Sequence, residues 1–200
     1  MQTKESKRYD RGMWLLEKFG LRQLRRDLIQ QVQGRTLEVG IGTGANLPLY
    51  TGDHLVVGID RQAARLSGAK TRGNGRPPIP LIAQTDAQLL PFPDNEFDTV
   101  VSTLVFCSIP QPALALAEIK RVLRADGRFL LLEHVRGQGK LSRRFTDWLH
   151  PAWFALQHEC HLNRETAVAV QDAGFHIEQI STHGWGILQM MVATNKPSLG

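Results

Sequence analysis

Cysteine is scarce in this chain of 200 residues, with only Cys107 and Cys160. The two lack metal-ligand spacing, so no metal site is expected, and in a reducing compartment neither is a disulfide between them. Long apolar runs are missing too. No stretch approaches the ~18 consecutive apolar residues of a membrane span, and the opening Met-Gln-Thr-Lys-Glu-Ser-Lys-Arg does not read as a signal peptide. These absences make a cytoplasmic protein the expectation. No basic motif is interleaved with aromatics, so nucleic acid is not an expected partner.

What is present suits one α/β domain: 42% hydrophobic residues over 200 positions can build a single substantial core. The net charge of +5 is partly local. Lys4, Lys7, Arg8, Arg11, Lys18, Arg22, Arg25 and Arg26 crowd the start, and Lys140, Arg143 and Arg144 form a second group. One reading is a solvated helix face. The other is peripheral contact of the basic N-terminal helix with anionic membrane, or with an acidic substrate.

Apolar periodicity predicts a helix over 9–32 with a break at Gly20. Seven strand candidates follow, at 36–39, 55–59, 80–83, 99–104, 128–133, 176–181 and 188–193. Helical stretches at 61–69, 112–123 and 164–173 alternate with them, the last with Asn163 as N-cap and Gly174 as stop. Residues 71–78 read as a flexible loop. Alternating βα units predict a doubly wound, mostly parallel sheet. A turn at Gly184-Trp185-Gly186 would add an antiparallel edge strand. The division expected within one domain is a helical cap (1–32), a cofactor-binding core (33–135), a lid insertion (136–162) and a terminal helix with strands (163–200).

The densest signal is Leu37-Glu38-Val39-Gly40-Ile41-Gly42-Thr43-Gly44. Glycine tolerates φ > 0 and lets backbone approach a ligand closely. Between a strand and a helix N-terminus, such a turn presents a nest of amides to an anionic group. Asp60 ends the next apolar run, at the distance where α/β nucleotide folds place an acid for ribose hydroxyls. The dinucleotide pattern is G-x-G-x-x-G, whereas this chain reads E-x-G-x-G-x-G.

That form resembles motif I of class I S-adenosyl-L-methionine (SAM) methyltransferases. Asp86-Ala87 and Leu89-Leu90-Pro91-Phe92-Pro93-Asp94-Asn95-Glu96-Phe97-Asp98 resemble the D-A-x-x-L-P-F-x-D-x-x-F-D segment of the type-11 group. Glu118-Ile119-Lys120-Arg121-Val122-Leu123 resembles its E-x-x-R-V-L turn, with Ala125-Asp126 replacing Pro-Gly. The resemblance implies a Rossmann-like seven-stranded fold and SAM as cofactor, with S-adenosyl-L-homocysteine as product. It assigns Glu38, Gly40, Gly42, Gly44, Asp60, Arg61, Asp86, Ala87 and Thr103 to cofactor binding. The alternative for Asp86 is a turn cap.

For the acceptor, a small molecule is expected. The catalytic candidates are Tyr9, which resembles a tyrosine closing over SAM, and His134 and His161 as general bases. Each has an alternative as a packing or structural residue. Cys107 reads chiefly as a small buried hydrophobe. Thr103 to Ile109, Glu133-His134-Val135 and the Pro151–Glu165 stretch resemble the branch that holds the alkyl-thiol S-methyltransferases. The eukaryotic members carry an N-terminal membrane anchor not seen here, and Glu159 stands where they have glycine. Bacterial relatives of the branch are assigned to phosphatidylethanolamine N-methylation. Thiol S-methylation is therefore the leading expectation and lipid N-methylation the alternative. Weaker readings are a quinone-type C-methyltransferase and a non-catalytic SAM-binding module.

Overall fold

The computed structural model describes residues 2–52, 54–74, 80–157 and 160–195. Residues 75–78 of the expected 71–78 loop and Glu159 lie outside the described residues, while residues 71–73 belong to a helix rather than a loop. Two helices open the chain. α1 (Lys4–Leu16) starts at Thr3, whose hydroxyl accepts from the Ser6 amide at 3.2 Å. A π turn (Glu17–Leu21) then bends the chain where Gly20 adopts φ 111°, and α2 (Arg22–Ile29) follows. The glycine supplies the break because only it enters that region without a Cβ clash.

Among the described residues, seven strands form one sheet: β1 (Thr36–Val39), β2 (Val56–Asp60), β3 (Leu81–Gln84), β4 (Phe97–Thr103), β5 (Leu123–His134), β6 (His176–His183) and β7 (Leu188–Thr194). Their order is β3-β2-β1-β4-β5-β7-β6. β1 to β5 pair in parallel, and β7 runs antiparallel to both β5 and β6. The remaining helices are α3 (Ala63–Gly73), α4 (Pro112–Val122), α5 (Lys140–Gln157) and α6 (Thr166–Asp172). The doubly wound, mostly parallel sheet expected from the alternation is therefore what the chain forms.

The core shows why. Every residue of β1 and β2 is buried, as expected of central strands covered on both faces. Leu37, Val57, Val100, Phe129 and Leu131 pack on one face with α4 and Val170 of α6. Val56, Val101, Leu130 and Leu132 pack on the other with Leu28 and Ile29 of α2. The side-chain period of two thus feeds two helical layers.

Three local expectations are corrected. No α-helix follows the glycine loop. A three-residue 3₁₀ turn, Leu47–Leu49, stands there, and Tyr50 is already extended. The amide nest therefore lacks a helix dipole behind it. β5 begins at Leu123 rather than 128, and the irregularity between the Phe97 and Thr99 rungs absorbs the extra residues. Finally, Asn163 does not cap α6. The helix starts at Thr166 without a side-chain cap, because Arg164 is drawn away: its carbonyl accepts from the Arg136 amide and its guanidinium donates to the Phe106 carbonyl at 2.6 Å.

Candidate active site

A cleft open to solvent lies at the carboxyl ends of β1, β2 and β4. That is where open α/β sheets bind ligands. The glycine loop forms its floor. Gly40, Gly42 and Gly44 adopt φ 66°, 56° and 80°. A Cβ on Gly40 would overlap the Val105 side chain, which closes over the loop from β4. A Cβ on Gly42 would instead project into open space, 3.8 Å from the Gly40 carbonyl and 3.9 Å from the Asp60 carboxylate. The cradle is thus built so that a ligand takes the volume a side chain would fill.

Asp60 braces this loop. One carboxylate oxygen accepts from the Gly42 amide at 3.0 Å and the other from the Gln62 amide at 2.7 Å. Each oxygen keeps a lone-pair site for a further donor. Arg61 and Asp86-Ala87 also line the cleft. Asp86 is at the same time a turn cap, accepting from the Gln88 amide at 2.9 Å and from the Gln88 side chain at 3.0 Å.

The base of the cleft is a buried polar network: Glu38 and Thr103, both expected at the site, line it together with Arg25, which the sequence did not announce. Glu38 accepts from the Asn46 amide group at 3.0 Å and the Tyr50 hydroxyl at 2.9 Å. Burial pushes its carboxyl up to about 7 despite these donors. Arg25 of α2 donates to Asn46 at 3.0 Å and to the Thr103 hydroxyl at 2.7 Å, and pairs with Glu17 at 2.9 Å. The only sequence signal for Arg25 is its position in a basic helix, where its neighbours are exposed.

The cap clamps onto the loop from above. Asp10 accepts from the Thr43 hydroxyl at 2.7 Å and pairs with Arg72 at 2.7 Å. This sets Tyr9 at the cleft wall, its ring covered by the Arg65 guanidinium at 4.7 Å. Burial raises the Tyr9 phenol above its ordinary value, outweighing Arg65 and Arg25, so it stays protonated at neutral pH.

The opposite wall hangs on Glu133. Fully buried, it accepts from the Ser102 hydroxyl at 2.9 Å and from the Val105 and Phe106 amides at 3.1 Å each. Burial lifts its carboxyl to about 7. Leu104, directly before these amides, adopts φ 58°, a strain of roughly 1–3 kcal/mol that the Glu133 anchor holds in place.

The two histidines are not brought into the cleft lining. His134 occupies the last rung of β5 opposite Leu188, and its Nδ1 is buried without a partner. Burial lowers its imidazole to about 4, which makes it a weak base at neutral pH. His161 lies on the lid side, its Nδ1 3.4 Å from His150 Nε2. Its backbone amide nevertheless donates to the Cys107 carbonyl at 2.8 Å, one residue from the cleft-lining Ser108. Burial, Arg164 and His150 hold its imidazole below the usual range, hence neutral.

Cys107 and Cys160 are free thiols, brought close by the bond from the His161 amide to the Cys107 carbonyl. The neighbouring Cys107 thiol and the Arg164 charge lower the Cys160 thiol to about 7 against the burial that raises it. The same contact and burial push Cys107 well up.

The motif resemblance also has a structural cause. Arg121 of α4 donates to the carbonyls of Leu90 at 3.0 Å and Phe92 at 2.7 Å, and Glu118 accepts from the Leu90 amide at 2.8 Å. The E-x-x-R turn thus clamps the L-P-F-P-D segment.

Comparison with known proteins agrees. The Methyltransferase domain family matches residues 37–131. Human thiol S-methyltransferase TMT1B is 31% identical over 165 residues, covering 76% of this chain and 67% of that protein. The chain belongs to the class I SAM-dependent methyltransferases. A phosphatidylethanolamine N-methyltransferase from Cereibacter sphaeroides is 40% identical over 112 residues, 54% of this methyltransferase and 55% of the relative. The chain therefore spans between 55% and 67% of the length of these two relatives. A SAM-dependent methyltransferase from Thermotoga maritima shares the fold, with a TM-score of 0.74 at 21% identity over 95% of both chains. SAM is the family's cofactor, and the open cradle at Gly42 beside the Asp60 carboxylate fits it.

Proposed function

We propose that this methyltransferase moves the methyl group of SAM to a small thiol. When bound, SAM supplies a methyl carbon activated by its sulfonium for in-line displacement. Gly40 and Gly42 give the cofactor's amino-acid end a close backbone surface with Glu38 at its base, while Gly44, outside the cleft lining, lets the loop pack against Leu47 and against Ala69 of α3. Asp60 takes the ribose, with Arg61 beside it. Asp86 and Ala87 face the adenine, and Thr103 fixes the loop through Arg25.

The observation that carries the thiol reading is Tyr9, a neutral phenol held at the cleft wall under the Arg65 guanidinium. A positive field at that wall favours a thiolate and disfavours a protonated amine. Of the two histidines, His161 is the better base, being neutral and tied to Cys107; His134 supports the strand end. The test is to incubate the protein with SAM and a panel of alkyl and aryl thiols. Methyl thioethers are expected, and their absence across the panel ends this reading.

A second acceptor has its own support. Trp14, Leu15, Leu16 and Phe19 are exposed on the basic N-terminal segment, a composition suited to a lipid interface. N-methylation of phosphatidylethanolamine in vesicles, with every thiol unmethylated, would move the acceptor to the lipid amine.

A further inference from the structure

Aromatic side chains rarely stand exposed together without a reason. On α5, Leu141, Phe145 and Trp148 form one stripe, 74%, 41% and 75% exposed. Trp185, 68% exposed, joins it from the β6–β7 hairpin through the ring of Phe145, forty positions earlier in the chain. The Phe145 ring centre lies 6.3 Å from that of Trp148 and 6.0 Å from that of Trp185.

Trp185 is held there against its backbone preference. It adopts φ 61° between Gly184 at 55° and Gly186 at 81°, and the Gly186 amide donates to the His183 carbonyl at 3.1 Å. Both central residues of this tight turn have positive φ, where glycine and asparagine fit and a bulky aromatic does not. A large apolar ring is thus kept in a strained position and presented to solvent.

Location and charge indicate the occupant. The hairpin tip follows the rung that joins His134, Leu188 and His183, at the carboxyl end of β5. That is the sheet edge on which the cleft opens. Along α5, Lys140 and Arg144 stand one turn apart beside the apolar stripe, both exposed. Aromatics flanked by cations match the apolar boundary and negative headgroups of an anionic bilayer.

We propose that the Leu141–Phe145–Trp148–Trp185 platform is a docking surface for anionic lipid membrane, distinct from the basic N-terminal helix. It sets the cleft mouth against the bilayer whichever acceptor is methylated.

Co-sedimentation with phosphatidylcholine vesicles, with and without phosphatidylglycerol, tests it. The wild-type chain binds the anionic vesicles at low salt, and Trp148→Ala with Trp185→Asn weakens binding roughly tenfold. Asparagine tolerates the turn, and unchanged SAM affinity shows that the variant is folded. Lys140→Glu with Arg144→Glu weakens binding at low salt only. In a second measurement, Trp14 and Trp153 are replaced by phenylalanine, and brominated lipid quenches the two remaining indoles. Wild-type protein that ignores anionic vesicles, aromatic variants that bind undiminished, or indoles that escape quenching would overturn the proposal. So would a concentration-dependent dimer abolished by the same variants, since the platform would then be a protein interface. Methyl transfer to thiols is read separately and does not bear on these outcomes.

Discussion

The Asp60 carboxylate accepts a hydrogen bond from the backbone amide of Gly42 at 3.0 Å. The end of the second strand thereby fixes the glycine loop of the first, and in the proposed cofactor placement the same acid would also meet the ribose. Asp60→Ala is expected to weaken SAM binding by about 1–3 kcal/mol, losing a ligand contact and the loop brace together. Asp60→Asn keeps an acceptor for Gly42 and should lose less. Calorimetric titration with SAM separates the two, and unchanged affinity in the alanine variant would remove Asp60 from the site.

Glu133 is expected to govern stability more than chemistry. Glu133→Ala leaves the buried Val105 and Phe106 amides and the Ser102 hydroxyl without their acceptor. The expected cost is about 3 kcal/mol of unfolding free energy, measured by urea titration. Because Leu104 is strained just upstream, SAM binding should fall in the protein that remains folded.

The cysteine pair should react unequally. With its thiol near 7, Cys160 should be alkylated by iodoacetamide at a rate that climbs as pH passes through neutrality. Cys107, buried and shifted upward, should lag far behind. Peptide mass spectrometry over a time course reads both, and earlier labelling of Cys107 would reverse the assignment.

His134 sets an acid limit. Its imidazole falls to about 4 in the folded state from an ordinary 6.5. The unfolded chain therefore binds more protons between those values, and the stabilising contribution present above pH 6.5 is lost as pH falls toward 4. His134→Leu removes that dependence. Between pH 7 and 4.5 the variant should lose about 2 kcal/mol less stability than the wild-type chain, by denaturant midpoints at each pH.

Much of this molecule was legible without coordinates. Strands 36–39 and 99–104 are legible from their β-branched and apolar residues, but the alternation Thr36-Leu37-Glu38-Val39 reads as half-buried, and only the structure covers both faces. Gly40, Gly42 and Gly44 declare positive φ because few other residues tolerate it, and Asp60 is placed by the length of one βα unit. These are near-neighbour constraints, so the sequence carries them openly.

Other features depend on which elements meet. Arg25 and Thr103 are 78 positions apart and touch only because α2 packs across β4. His134 looks like a base beside a pocket, yet strand register makes it a half-buried rung opposite Leu188, outside the cleft lining. Cys107 and Cys160 become neighbours when the His161 amide meets the Cys107 carbonyl. By itself, the sequence determined the sheet and the glycine cradle, since each follows from local spacing and backbone freedom, and its motifs carried the resemblance that implies the cofactor. Only the tertiary structure decided the wiring of Arg25, the pairing of the thiols and the aromatic platform, because long-range packing alone brings those side chains together.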